Sequence, residues 1–219
     1  SKKTLDELSK RFPSYIYKRL SPIELRVCDS QGQITGLING EVRHQISRSF
    51  YRNGTIIIFF PSDSYTCEVI GKEEGTYGLE ISSVEAWDVT TFNATSIPIS
   101  ANAIHQYAID WDALSRGEEA VTVKVDSDGD GVFEHTFTSD SELTQSEYII
   151  ATDKSLPKTT ISIGEPKYVT EITYVTPDTL FILEANDGEG SGVYLTSYRI
   201  RNSTYATEWL IYTSPFNLT

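Results

Sequence analysis

A chain of 219 residues has room for one large or two small domains, and a hydrophobic content of 39% is ample for a packed core. A net charge of −13 excludes the basic surface that nucleic-acid binding needs, and it equally opposes docking onto anionic lipid. No run approaches the ~18 apolar residues of a membrane span. Methionine is absent, even at position 1, and no signal peptide is visible, so the sequence reads as a mature or excised fragment.

The first twenty residues carry six basic and two acidic side chains, opposite in sign to the body. Thr4-Leu-Asp-Glu7 has the form of a capping box, with Leu5, Leu8 and Phe12 on one side of a short helix that Pro13 ends. This segment reads as the tail of a preceding domain or a linker. From Tyr15 onward the pattern is strands and turns. Ile23 to Val27 alternates cleanly, Asp29 to Gly32 is turn chemistry, and Val42 to Ile46 is a short strand. Ile56 to Phe60 is the longest apolar run and reads as a buried central strand. Tyr65 to Ile70, Leu79 to Val84 and Ile104 to Ile109 follow; Asp110-Trp-Asp112 then begins a turn with Trp111 inward. Val121 to Val125, Val132 to Thr138 and Glu147 to Ala151 complete the first set of strands. Asp153 to Lys158 is a polar, proline-containing break. Beyond it, Thr159 to Ile163, Glu171 to Val175, Thr179 to Ala185, Val193 to Ile200 and Thr207 to Tyr212 read as further strands. The expected organisation is a tail over 1–20, a calcium-binding sandwich over 21–153 and a second sandwich over 154–219.

Asp126-Ser-Asp-Gly-Asp-Gly-Val-Phe-Glu134 carries the sharpest chemical signal. It sets carboxylates at relative positions one, three, five and nine, with glycine at six. Calcium is a hard cation that takes six to eight oxygens, and a tight acidic loop supplies them from one stretch. The ligands expected are Asp126, Asp128, Asp130 and Glu134, with the carbonyl of Val132. An EF-hand would also need a glutamate at position twelve, where Phe137 stands, and its flanks would be helical rather than alternating. The pattern is a β-hairpin with calcium at its tip; a plain Asp-Gly turn is the competing reading. From Gly117 to Asp153 ten acidic residues face one lysine, which concentrates the negative charge here. Asp187 with Glu189, in a glycine-rich loop, is a weaker second candidate.

Cys28 and Cys67 both fall in expected strands, where a disulfide and two free buried thiols explain the sequence about equally. Asn53, Asn93, Asn202 and Asn217 begin Asn-X-Ser/Thr sequons, against about one or two by chance, which points to a secreted or surface glycoprotein. Asn53-Gly54 also reads as a hairpin turn. His44, His105 and His135 lack zinc spacing and read as surface residues. No nucleophile elbow or phosphate loop occurs. Trp87, Trp111, Trp209 and the tyrosines could stack on sugars, but they fit a sandwich core better.

Pro157 to Tyr168, Tyr174 to Thr179, Ala185 to Val193 and Tyr198-Arg-Ile200 resemble the bacterial and archaeal Ig-like modules of surface and secreted proteins. Such modules continue past a Tyr-Thr-Ser-Pro-Phe segment, here Tyr212 to Phe216, into two more strands. The resemblance therefore implies a truncated second domain whose exposed edge another chain or the missing remainder covers. Ser21 to Val27, Asp29 to Gly36, Gly75 to Leu79 and Val125 to Gly131 are similar, less specifically, to β-sandwich modules of exported prokaryotic proteins. In those proteins, which include archaeal lipase-like hydrolases, the module follows a catalytic domain; residues 1–20 would then be that domain's end.

The sequence thus predicts an all-β chain of two consecutive antiparallel sandwiches, the second Ig-like and incomplete, preceded by a short helix. Its expected role is non-catalytic: a calcium-stabilised structural or adhesive module, extracellular or on the cell surface. The partners it leaves open are a glycan or a cell-surface protein. The alternative is a carbohydrate- or substrate-binding accessory domain of a secreted hydrolase.

Overall fold

The computed structural model describes residues 12–20, 23–85, 88–188 and 190–218. The expected N-terminal helix and Trp87 lie outside them. The protein is all-β, and it divides into a first unit ending at Ala151 and a second spanning Thr152–Thr219. Among the described residues no helix is long and apolar enough to cross a membrane.

In chain order the first unit contains β1 Ser14–Arg19, β2 Glu24–Asp29, β3 Ile34–Ile38, β4 Glu41–His44, β5 Ser49–Arg52, β6 Thr55–Phe59 and β7 Tyr65–Ile70. It continues with β8 Gly75–Glu85, β9 Asp88–Ile99, β10 Ile104–Ile109, β11 Val121–Asp126, β12 His135–Ser139 and β13 Glu142–Thr144. One sheet has the order β13-β9-β8-β1-β6-β5 and the other β12-β11-β10-β7-β2-β3-β4. Pairing is antiparallel except between β13 and β9. Alternation drives one face of the central strands inward: Leu25 and Val27, Cys67 and Val69, and Val121, Val123 and Val125 from one sheet meet Ile56, Ile58, Leu79, Ile81 and Phe92 from the other. β6 is buried as expected, but it lies one strand from the sheet edge rather than at the centre.

Four local features correct the sequence reading. Ser14–Arg19, expected in the tail over 1–20, is a strand inside the six-stranded sheet, paired between β6 and β8. Glu147 to Ala151 is not a strand; it lies in the helix Gln145–Thr152. Its start is a reciprocal capping box: the Glu147 amide donates to Thr144 Oγ1 at 3.3 Å, and Glu147 Oε2 accepts from the Thr144 amide at 2.8 Å. Asp110 starts a turn as expected, and that turn continues as the short helix Trp111–Ser115, with Asp110 accepting from the Ala113 amide at 3.0 Å. The disulfide considered between Cys28 and Cys67 is absent, and both thiols are free. Cys67 pairs across the ladder with Val27 and shares its core face, whereas Cys28 pairs with Thr66 and points to the opposite face. Burial, reinforced by the Glu68 carboxylate, pushes the Cys28 thiol up to about 11.

Two Asn-Gly turns close adjacent hairpins. Asn39 and Gly40 join β3 to β4, and Asn53 and Gly54 join β5 to β6, all four at positive φ. That is the backbone of a type I′ turn, whose twist matches the strands it connects. Gly36, opposite Arg26, is more constrained. Its φ is +137°, and an added Cβ would sit 2.3 Å from the Leu25 carbonyl oxygen and 2.6 Å from Arg26 Cα. Gly36→Ala should therefore cost about 2–3 kcal/mol, seen as a lower urea midpoint at unchanged slope.

The second unit is built of three two-stranded ribbons. They are β14 Lys158–Ile163 with β17 Phe181–Asn186, β15 Lys167–Val169 with β16 Thr173–Val175, and β18 Ser197–Tyr198 with β19 Leu210–Ile211. The last two strands are much shorter than the expected Val193 to Ile200 and Thr207 to Tyr212. Phe216 bridges to Phe181 and stacks on Tyr198 with centroids 4.0 Å apart. Thr179 is fully buried and donates to the Pro166 carbonyl. Ile161, Tyr168, Val169, Ile172 and Tyr174 are exposed.

Candidate metal centre and its surroundings

The acidic loop begins where β11 ends. Asp126 is the last residue of that strand, opposite Ile104, and it is completely buried. A buried carboxylate needs hydrogen-bond partners, and the loop provides them. The Gly129 amide donates to Asp126 Oδ1 at 2.7 Å and the Gly131 amide to Oδ2 at 2.9 Å. The chain then curls through further amide–carboxylate bonds, from Asp130 to Asp128 Oδ1 at 3.2 Å and from Val132 to Asp130 Oδ1 at 2.7 Å. Across the loop, the Ser127 amide donates to Glu134 Oε2 at 2.7 Å and holds that carboxyl below the ordinary glutamate range. Gly129 has φ +77°, and an added Cβ would approach the Asn102 carbonyl oxygen to 2.5 Å, so the tight curl requires glycine there.

These bonds draw four carboxylates together. One oxygen from each of Asp126, Asp128, Asp130 and Glu134 lies within 4.8 Å of the other three, and the last three residues are exposed. Such a group could hold a metal ion. The flanking strands pair from Val121 with Ser139 to Val125 with His135, so the loop is a hairpin tip. The strand expected from Val132 begins only at His135, which leaves the intervening residues free to follow the curl. Val132 itself exposes its side chain and anchors the loop through its amide.

Of the second candidate, Glu189 lies outside the described residues. Asp187 instead meets Asp153, a partner the sequence did not suggest. An added Cβ on Gly190 would sit 2.7 Å from Asp187 Oδ2 and 2.8 Å from Asp153 Oδ2, so both carboxylates converge on that glycine. The Ser191 amide donates to Asp153 and the Gly192 amide to Asp187, each at 2.7 Å. Bonds from Ser155 and Ser191 hold the Asp153 carboxyl far below its ordinary range. Asp187 Oδ1 is buried without a hydrogen-bond partner among the described residues.

Of the three histidines read as surface residues, His44 is exposed and His135 half-buried, but His105 is 1% exposed in the core. Its Nδ1 lies 2.9 Å from the Tyr77 hydroxyl and its Nε2 3.2 Å from that of Tyr148; Tyr77 and Tyr107 also share a hydrogen bond. The ring stacks on Tyr148 at 5.3 Å. Burial lowers the imidazole pKa to about 4, so it is neutral at pH 7. An alternating position opposite Val125 was the available signal for this inward placement.

The four sequon asparagines, Asn53, Asn93, Asn202 and Asn217, are all exposed. No protein-family model matches this chain, and no curated protein or solved structure matches it either.

Proposed function

We propose that the chain is a non-catalytic structural or adhesive module of a surface or secreted protein, stabilised by calcium at the Asp126–Glu134 hairpin tip. The observation that carries this reading is the convergence of four carboxylates on a loop already curled by its own amides. All-oxygen donors suit a hard cation, and an irregular set of carboxylates from one loop favours calcium over magnesium, which demands near-ideal octahedral geometry. The carbonyl of Val132 would complete the ligand set. A non-catalytic role accords with His105, whose two ring nitrogens are both engaged by tyrosines. Exposure of all four sequons supports an extracellular setting and a glycosylated surface.

In this reading the first unit is the sandwich accessory module of a larger exported protein and the second an Ig-like module. The exposed apolar residues of the second unit would be covered by another strand of the parent protein or by another chain. Calorimetric titration tests the central claim. Calcium should bind at one site with a dissociation constant on the order of 10⁻⁴ M, as extracellular modules do, and magnesium far more weakly. An Asp128→Ala, Asp130→Ala double variant should bind neither. Absence of calcium heat and of any calcium-induced spectral change in the wild-type protein would refute the reading.

A further inference from the structure

We infer that a second site, separate from the acidic hairpin, binds an organic ammonium group in the cleft lined by Tyr15, Tyr65 and Trp111 with Asp63, Asp110 and Asp112. The cleft has a volume of about 490 Å³, within the range of small-molecule sites. It opens where β1 of one sheet meets the ends of β7 and β10 of the other.

Its aromatic wall is built rather than incidental. Tyr15 contacts Tyr65 edge-on with centroids 5.9 Å apart and Trp111 at 5.3 Å with a tilt of 37°. All three rings pack against the core yet remain half-buried, so each is anchored and still accessible from the cleft. Two of the carboxylates are held by local structure. Asp63 accepts from the Ser30 hydroxyl at 2.8 Å and the Ser64 amide at 2.7 Å, while Asp110 caps the Trp111–Ser115 helix. The Asp112 carboxylate makes no hydrogen bond among the described residues.

The charge selects the ligand. Among the described residues no lysine, arginine or histidine lines the cleft. Arg116 lies within the field of Asp110 and Asp112, but its guanidinium is paired with Glu118 at 2.7 Å. Glu85 adds its field at Tyr15. A neutral sugar could stack on these rings and donate its hydroxyls to the three exposed carboxylates, but it would bring no positive charge to an acidic cleft. An alkylated ammonium meets both features at once. Its positive charge is attracted to the ring faces and to the carboxylates, while its alkyl groups fill the apolar wall.

Choline and butylammonium are suitable probes, titrated by calorimetry with calcium present throughout so that the hairpin does not enter the result. The control is the uncharged isostere of choline in which the quaternary nitrogen is carbon. At least one ammonium probe should bind saturably, at least about tenfold more tightly than the isostere, and more weakly as salt rises. Asp112→Asn, on the exposed side of the cleft, should lower that affinity without changing the unfolding midpoint, and Trp111→Ala should lower it further. Equal binding of the isostere, undiminished binding by Asp112→Asn, or no saturable binding of either probe would overturn the assignment.

Discussion

Calcium in large excess should raise the unfolding midpoint of the first unit by roughly 5–10 °C, and excess chelator should return it. A ligand held a hundredfold above its dissociation constant adds about 2.7 kcal/mol to the folded state, and in a unit of this size each kcal/mol moves the midpoint by about 2–4 °C. Two substitutions separate the metal from the loop. Asp128 is exposed and bonds only the next turn of the loop, so Asp128→Ala should abolish the calcium shift while leaving the chelated midpoint nearly unchanged. Asp126 is buried and holds the Gly129 and Gly131 amides, so Asp126→Ala should lower the midpoint even in chelator, by about 1–3 kcal/mol of stability. If chelation leaves the wild-type midpoint where it was, the carboxylates only shape a turn.

The second large effect is loss of stability in mild acid, traced to His105. Its folded pKa of about 4 lies below the ordinary 6.5, because burial disfavours the imidazolium. Above pH 6.5 both folded and unfolded chains hold the ring neutral, and the stability is fully present. As pH falls from 6.5 toward 4 the unfolded chain takes up a proton that the folded chain refuses, so stability declines by about 3 kcal/mol. Below 4 this contribution stops changing. The groups facing the ring are the hydroxyls of Tyr77 and Tyr148, and Glu74 lines the same small cavity beside it. Against a total of about 5–15 kcal/mol the loss is large. Urea unfolding at pH 7, 5.5 and 4 reads it directly. His105→Gln removes the titration and should flatten the decline, whatever the carboxylates contribute in parallel. Identical pH slopes for the variant and the wild type would exclude His105 as the cause.

What was legible in the sequence followed the regularity of the local signal. Val121 to Val125 and Ile23 to Val27 alternate without interruption, and strands form there. β9 escaped notice although it is the longest strand, because its inward phase breaks. Phe92 and Ala94 face the core, then a bulge with Ser96 at positive φ resets the register so that Ile97 and Ile99 do. The helix after β13 was missed for the opposite reason. Its apolar residues resemble a strand, although the Thr144–Glu147 box marks a helix start. Asn39-Gly40 likewise signalled a hairpin as plainly as Asn53-Gly54. For the site, spacing alone named the four acidic residues that converge. It could not give the meeting of Asp153 with Asp187, which depends on how a loop returns to a distant segment.

The order of the strands has a kinetic consequence. The chain lays β1 in one sheet, β2 to β4 in the other, returns for β5 and β6, crosses for β7, returns for β8 and β9, and crosses again for β10 to β12 before β13 closes the first. Neither sheet corresponds to a continuous stretch of chain, and the ladders between β1 and β8 and between β2 and β7 join distant segments. Loop closure must therefore precede most of the stabilising contact, which places folding in the slow, millisecond-to-second regime of sandwiches. A nascent chain completes neither sheet until β12 has emerged, and the six-stranded one waits for β13, so most of the first unit's pairing is deferred to the last part of its chain.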